Sequence, residues 1–146
     1  MVLLGMTAAA VLALCTAVRW FWERPDGRST EHHWHDRVAL RSFYNRGAAF
    51  GVKWLRGGAL IAVSCLVLVA LPLLALRQSR GFRLGAGMAF GGGLSNLLER
   101  ITHGQVFDYV QFPRLPGKLG GLVFNLADFA LALGGILMVL FSGRRR

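Results

Sequence analysis

Two aspartates stand out because each is the only acid in an apolar stretch of the chain. Asp128 lies within the run 122–141, and Asp108 lies shortly before that run, in V-F-D-Y-V at residues 106–110. A helix of about 20 apolar residues crosses the hydrocarbon core of a bilayer. An aspartate near the centre of such a helix costs about 2.5–3.5 kcal/mol, so it normally faces the protein interior or a water-filled cavity. The sequence therefore predicts a carboxylate pair at a membrane surface.

The chemistry of such a pair has two interpretations. Asn125 and Asp128 are three residues apart and share one face of the predicted helix, so they could be a buried hydrogen-bonded pair that joins helices. Asp108 favours the second interpretation, because two carboxyls in a desolvated site share one proton. One carboxylate then takes a proton from water while the protonated one polarises a carbonyl. This is the chemistry of an aspartic protease, and it requires neither a metal nor a cofactor.

A polar face at the end of a glycine-rich run is predicted to support the two acids. Asn96, Glu99 and Arg100 are spaced i, i+3 and i+4, which places them on one side of a helix. Polar groups on an otherwise apolar helix need partners. Asp108 and Asp128 are the anions available to Arg100.

Four apolar runs organise these residues. They predict an integral membrane protein of the all-α class, a four-transmembrane-helix bundle with spans at about 2–20, 59–76, 84–100 and 122–141. Residues 77–83 form a short basic turn between the second and third spans, and the polar segment at about 21–56 is an extracytoplasmic loop. Residues 38–44 and 107–112 are candidate strands. The length of 146 residues predicts one domain, 1–146.

Composition excludes several other classes of protein. The chain is 54% hydrophobic with a formal net charge of +10. Its basic residues lie at the ends of the apolar runs, as in membrane proteins, rather than along a nucleic-acid-binding stripe. Cys15 and Cys65 both fall inside apolar runs, which argues against a disulfide framework. The density of basic residues in the 77–83 turn and the 144–146 tail predicts that both termini are cytoplasmic.

Four short motifs carry a resemblance to the lipoprotein signal peptidases, the signal peptidase II family. N-R-G-A-A-F-G at 45–51 resembles the family motif N-x-G-A-A-F-G, and G-G-G-L-S-N-L-L-E-R at 91–100 resembles G-G-A-x-G-N-x-x-D-R. V-F-D-Y-V at 106–110 is similar to V-x-D-F-I, and F-N-L-A-D at 124–128 is similar to F-N-x-A-D. The motifs occur in the family's order and cover about residues 43–141.

The resemblance implies a fold, a site and a substrate. The fold is a four-helix membrane bundle with a small extracytoplasmic β-cradle. Asp108 and Asp128 would be the catalytic dyad. The residues that would support the site and the substrate are Asn45, Asn96, Arg100 and Asn125. The implied substrate is a lipid-modified prolipoprotein.

Two parts of the sequence depart from the resemblance. The family's first helix usually carries D-Q-x-T-K, whereas C-T-A-V-R at 15–19 occupies a comparable place, with Arg19 where that motif ends in lysine. Glu99 replaces the aspartate of the second motif, and Ser95 replaces a glycine. The cluster His32, His33 and His35 in the loop matches no standard zinc spacing, so no metal is predicted.

The carboxylate pair thus predicts an intramembrane aspartic endopeptidase, and the resemblance implies that it cleaves signal peptides from diacylglyceryl-modified bacterial prolipoproteins. It is expected to act as a monomer in the bacterial cytoplasmic membrane, in contact with membrane lipids and with no nucleic-acid partner. The absent first-helix motif leaves an alternative open, a weak or inactive family member that binds lipoproteins or membrane partners. A proton-coupled transporter that uses Asp128 as its relay is a third class, although internal repeats and broken helices are not evident in the sequence.

Overall fold

The computed structural model describes residues 1–23, 32–34, 37–47 and 57–143, and only the backbone of 32–34. Its elements, in chain order, are α1 (Val2–Trp22), β1 (His32–Trp34), β2 (Val38–Asn45), α2 (Gly58–Ala75), α3 (Arg80–His103), β3 (Val106–Gln111), a 3-10 turn (Gly117–Gly121), β4 (Val123–Phe124) and α4 (Leu126–Phe141). The fold is therefore mostly helical with one small sheet. Residues 48–51 of the first motif, His35 and the basic tail 144–146 lie outside the described residues.

Helix α3 is the central helix, and it packs against α1, α2 and α4. Its glycines allow close approach on two sides. A Cβ atom at Gly91 would lie 2.6 Å from the backbone oxygen of Ala8 in α1, and one at Gly92 would lie 2.6 Å from that of Ala127 in α4. Substituting either glycine would force neighbouring backbones apart, so these residues set the positions of α1 and α4 against α3.

The two ends of the helical bundle differ. At one end Leu4, Ala75, Phe82 and Ala86 form a buried apolar cluster, so the start of α1 meets the turn between α2 and α3 there. Phe141 at the end of α4 packs against the same cluster. The chain enters and leaves the sheet at the opposite end, where α1 and α3 finish and α2 and α4 begin.

The sheet is antiparallel throughout, in the order β1-β2-β3-β4. Strands β2 and β3 occur at the two candidate strand segments of the sequence, at Val38–Asn45 and Val106–Gln111. Phe43 of β2 is paired with Asp108 of β3, and Val110 of β3 is paired with Phe124 of β4. The sheet therefore fixes Asp108 beside the residues that lead into α4.

Helix α4 begins later than the apolar run predicted. The run starts at residue 122, but Val123 and Phe124 form β4 and the helix starts at Leu126. Asn125 caps the helix: its side chain accepts from the backbone N–H of Asp128, and the Asp128 side chain accepts from the backbone N–H of Asn125. This capping box satisfies two donors that a helix leaves unpaired at its start, so hydropathy alone misplaced the boundary.

Helix α3 is longer than its apolar run at both ends. It begins at Arg80 because the Ser79 side chain accepts from the backbone N–H of Phe82, and it ends at Gly104, whose φ of 70° is left-handed. The predicted basic turn is thereby shortened, since Arg80 and Arg83 belong to the helix. Among the described residues, α1 and α2 are long and apolar enough to cross a membrane, and α4 is a shorter apolar helix.

Candidate active site

Asp108 lies on β3 and is almost completely buried, with 2% of its surface exposed. Two asparagines donate to its carboxyl group: Asn45 Nδ2 to Oδ2 at 3.0 Å and Asn125 Nδ2 to Oδ1 at 2.7 Å. Burial and, to a smaller extent, the charge of the nearby Asp128 raise the pKa of the Asp108 carboxyl to about 7, against the lowering effect of the two asparagine hydrogen bonds and of the Arg100 charge. Asp108 therefore exchanges its proton near neutral pH.

Asp128 lies in the first turn of α4 instead of at the centre of a span. Its Oδ2 accepts from the backbone N–H of Asn125 at 3.1 Å, within the capping box. The shared helix face predicted for Asn125 and Asp128 is wrong, because Asn125 precedes the helix and serves as its cap. The start of a helix carries partial positive charge, so this position favours the ionised carboxylate more than a mid-helix position would.

Two asparagines join the two acids in one hydrogen-bonded chain. Asn125 Nδ2 donates to Asp108 Oδ1 and also, at 3.0 Å, to Asn96 Oδ1. Asn96 Nδ2 in turn donates to Asp128 Oδ1 at 3.1 Å. The structure thus brings together β3, α3 and the start of α4 at one site, through four of the residues singled out in the sequence. Asn45 of β2 is a fifth such residue, through its hydrogen bond to Asp108.

Arg100 lies at this site but forms neither of the predicted ion pairs. Among the described residues, its guanidinium has no carboxylate oxygen within 4.0 Å. It donates instead from Nη1 to the backbone oxygen of Asn96 at 3.2 Å and from Nη2 to that of Gly47 at 3.4 Å. Its Nε is buried and has no hydrogen-bond partner within the same set of residues. The guanidinium is held beside the acids by backbone groups, with one donor left over.

A cavity of about 210 Å³ opens beside the site, between α2, α3 and α4. Asn96, Arg100 and Asp128 form its polar end. The other lining residues are mostly apolar and come from the three helices: Leu60, Val63, Ser64, Val67, Leu68, Ala89, Gly93 and Leu131. The cavity therefore presents one acid and one cation to whatever apolar chain enters it.

Tyr109 has a role at the site that was not predicted from the sequence, and Glu99 has a different partner from the one expected. The Tyr109 hydroxyl accepts from the backbone N–H of Leu126 at 3.0 Å, which ties β3 to the start of α4. Burial raises the pKa of Tyr109 to about 12, so the hydroxyl keeps its proton. Glu99 was expected on the same side of the helix as Asn96 and Arg100. Its carboxylate instead accepts from the backbone N–H of Phe107 on β3. A signal for Tyr109 was available, because the related motif has phenylalanine there and a buried hydroxyl needs a partner.

The histidine cluster stays untested as a ligand set. His35 and the side chains of His32 and His33 are not described. Within the residues whose side chains are described, three or more His, Cys, Asp or Glu side chains do not come together in a metal-binding arrangement.

The site and fold define a class: a mostly helical integral membrane protein with two hydrogen-bond-linked aspartates at the junction of a helix and a small sheet. The sequence profile of one family, Signal peptidase (SPase) II, matches residues 5–143. This chain belongs to the signal peptidase II family.

Individual relatives agree with that assignment. The chain is 35% identical over 109 residues to the lipoprotein signal peptidase of Chlorobium phaeovibrioides, a match that covers 68% of this chain and 64% of that protein. It is 39% identical over 115 residues to the lipoprotein signal peptidase of Brucella ovis, covering 75% of this chain and 71% of that protein. The match thus spans slightly less than two thirds of the Chlorobium protein.

Solved structures support the fold. Two structures described as bacterial membrane enzymes superpose with TM-scores of 0.77 and 0.76, at 22% and 23% sequence identity. The first covers 92% of this chain and 84% of the solved one, and the second covers 95% and 91%. The likeness extends over nearly the whole chain, so the helices and the sheet belong to one shared fold.

Proposed function

We propose that this protein is an intramembrane aspartic endopeptidase that cleaves signal peptides from diacylglyceryl-modified bacterial prolipoproteins. The observation that carries the proposal is the hydrogen-bonded chain from Asp108 through Asn125 and Asn96 to Asp128. Membership of the signal peptidase II family supports the substrate class. Asp108 and Asp128 are the proposed catalytic pair.

The proposed reaction is hydrolysis with one proton held by the pair. The ionised aspartate takes a proton from water while the water oxygen bonds to the scissile carbonyl carbon. The protonated aspartate donates to the carbonyl oxygen, which gives a neutral tetrahedral intermediate. The C–N bond of the intermediate then breaks, and the leaving nitrogen takes a proton from the aspartate pair. One of the two hydroxyls of the intermediate returns a proton to the pair as the carboxylic acid forms. A pKa of about 7 for Asp108 supplies both protonation states near neutral pH.

Four polar residues have proposed supporting roles. Asn45 and Asn125 hold the Asp108 carboxyl, and Asn96 holds that of Asp128. Arg100 balances the charge of the pair and offers Nε, its donor without a partner among the described residues, to the substrate backbone. These contacts fix the acids before substrate binds, which is how a site lowers the reorganisation needed during reaction.

The cavity supports an apolar, membrane-embedded substrate. Its volume of about 210 Å³ and its largely apolar lining suit part of an acyl chain or of a signal-peptide segment, with the scissile bond at the polar end. We assign no metal and no cofactor to this reaction, because a carboxyl pair carries both the general acid and the general base.

The proposed arrangement in the membrane has four spans. Helices α1 to α4 cross the bilayer, the sheet forms a cradle on the extracytoplasmic side, and both termini are cytoplasmic. The support is that the starts of α1 and α3 and the ends of α2 and α4 meet at the end of the bundle opposite the sheet. The exposed basic residues Arg77 and Arg80 lie at that end, where positive charge favours the cytoplasm. The protein is proposed to act as a single-domain monomer in the cytoplasmic membrane.

The alternative is a family member that binds lipidated precursor without cleaving it. The observation that favours it is the first helix, which has no counterpart of D-Q-x-T-K. The two functions differ in turnover alone, so binding measurements do not separate them.

The test is cleavage by purified protein reconstituted in liposomes. The substrates are one prolipoprotein with and without its diacylglyceryl group. We expect the wild type to cleave the lipidated form and Asp128→Asn to lose activity by at least about 10²–10⁴-fold, the contribution typical of an acid–base group. Glu23→Gln is the matched control, since it neutralises an acid at the end of α1 outside the site.

Two results would contradict the proposal. If the wild type binds the lipidated precursor but cleaves nothing, the chain is a binding protein. If the lipidated and unlipidated precursors are cleaved at the same rate, the substrate class is wrong even though the protease chemistry holds.

A further inference from the structure

A largely buried ion pair joins α1 and α3 next to β3. Arg19 at the end of α1 places Nη1 3.6 Å from Glu99 Oε2 on α3, and the two side chains are only 18% and 11% exposed. The pair plays no part in the hydrolysis proposed above. The pair lies next to β3, and its contacts with that strand indicate a structural role there.

Glu99 reaches the backbone of β3 at the residue before the proposed catalytic Asp108. Its Oε2 accepts from the N–H of Phe107 at 2.9 Å, in a buried hydrogen bond. Hydrogen bonds from an N–H to a carboxylate are shorter and stronger than those to neutral acceptors. Within the described residues, β4 pairs with β3 only at Val110 and Gln111. The carboxylate therefore secures a part of β3 that β4 does not cover.

Arg19 fixes the carboxylate that holds Phe107. Arg19 belongs to the last turn of α1, and its guanidinium also donates from Nε to Glu23 Oε2 at 2.7 Å. A cavity of only about 10 Å³ adjoins the pair, lined by Arg19, Glu99 and Phe107 among others. The two charged side chains and Phe107 thus line one small cavity.

We propose that Arg19 and Glu99 are positioning residues for the reaction: together they hold β3 at Phe107 so that Asp108 meets Asn125 and Asp128. The inference rests on the proposed function. It also connects two of the departures of this sequence from the related motifs, arginine at residue 19 and glutamate at residue 99. The two residues contact each other, so they form one unit that ties α1 and α3 to β3.

The experiment compares the kinetics of four variants on the lipidated precursor in liposomes. Arg19→Met removes the cation, and Glu99→Gln removes the anion while keeping the volume. Each should lower kcat by about 10- to 100-fold, as expected when a reacting group is displaced by a fraction of an ångström to 1 Å, with KM nearly unchanged. Arg19→Lys keeps the cation and should recover most of the kcat lost in Arg19→Met. Glu23→Gln removes a charge beside the same arginine but keeps a side-chain oxygen that accepts from Arg19 Nε, and it should stay within about twofold of the wild type.

A second readout reports the contact without turnover. Amide hydrogen exchange at Phe107 should accelerate in Arg19→Met and Glu99→Gln and stay at the wild-type rate in Glu23→Gln. If the wild type cleaves nothing, the proposed function fails, and exchange at Phe107 still decides whether the pair holds β3.

Other outcomes would overturn the inference. One is that Glu99→Gln and Arg19→Met have the same kcat as Glu23→Gln. Another is that the amide of Phe107 exchanges at the wild-type rate in both variants. A rise in KM with kcat preserved would make the pair part of substrate binding instead. Loss of helical circular dichroism in both variants would make it a general structural element.

Discussion

Burial and hydrogen bonding determine what the Asp108 side chain is able to do. A carboxyl that is 2% exposed loses the hydration that stabilises its charge, and the hydrogen bonds from Asn45 and Asn125 restore only part of it. The result is a pKa of about 7, where the group is half protonated at neutral pH. Asp128 also accepts two hydrogen bonds, but one of them comes from a backbone N–H at the start of α4, where a helix carries partial positive charge. Different environments for two acids are what an acid–base pair requires.

Arg100 gives a pH-dependent prediction. Its charge lowers the pKa of Asp108, so Arg100→Met should raise that pKa above about 7 and move the corresponding limb of the kcat/KM–pH profile to higher pH. Arg100→Lys keeps the charge and should leave the limb in place. Activity should nevertheless fall by about 10-fold or more, because an ammonium group cannot reproduce the two-pronged contact with Asn96 and Gly47.

The check is a full pH–rate profile for both variants, alongside circular dichroism to verify the fold. If Arg100→Lys cleaves at the wild-type rate, Arg100 is an interfacial anchor and has no role at the site. If Arg100→Met leaves this limb of the kcat/KM–pH profile unchanged, the charge of the Arg100 guanidinium does not affect the pKa of Asp108.

The sequence indicated the two aspartates but not the hydrogen bonds that join them. Asp108 and Asp128 could be singled out because carboxylates are scarce and expensive in apolar runs. The bridging role of Asn125 could not, since it depends on the helix starting at Leu126 and on β3 lying beside β4. The same holds for Glu99, whose partner is a backbone N–H that carries no signature in the sequence.

At the scale of elements, a short strand brings the acids together. β4 has two residues, and Phe124 is paired with Val110 only two residues from Asp108 and directly before the cap of α4. This pairing positions the first turn of α4 against β3. Tyr109 adds a contact to the same turn. Hydropathy assigned residues 122–125 to a helix because valine and phenylalanine suit a membrane span as well as a strand.

The glycines of α3 give a prediction about the packing of these elements. A Cβ at Gly92 would meet the backbone oxygen of Ala127 at 2.6 Å, directly before Asp128, whereas one at Gly93 would meet the Leu68 side chain at 3.1 Å. Backbone cannot yield as a side chain does. Gly92→Ala should therefore destabilise the protein by about 1–3 kcal/mol and lower activity. The matched variant Gly93→Ala should leave stability within about 0.5 kcal/mol of the wild type.

Thermal unfolding in detergent, followed by circular dichroism, measures both variants. Equal melting temperatures for Gly92→Ala and the wild type would show that α3 and α4 are not held by this contact. A large drop in the melting temperature of Gly93→Ala would show that the Leu68 side chain, which lines the cavity, cannot move aside for the added methyl group.

At the scale of the whole molecule, the site lies where the helices meet the sheet, away from the start of α1 and the end of α4. The described chain reaches the opposite end of the bundle through Leu4 of α1 and Phe141 of α4, which pack near Phe82. A helix occurs at each of the four apolar runs, because length and hydropathy are properties of each segment alone, although α3 extends beyond its run and α4 starts later than its run. The pairing of strands and the order in which helices pack around α3 depend on contacts between distant segments, which periodicity does not encode.

The proposed protease function depends on Asp108 and Asp128 acting as one catalytic unit, and a double-mutant cycle measures this coupling most directly. Single-turnover cleavage of a diacylglyceryl-modified precursor would be compared for the wild type, Asp108→Asn, Asp128→Asn and the double variant, all in liposomes at one pH. Each single variant should lose at least about 10²–10⁴-fold, and the double variant should be no slower than the slower single one. Losses that multiply in the double variant, or wild-type cleavage by either single variant, would contradict the account.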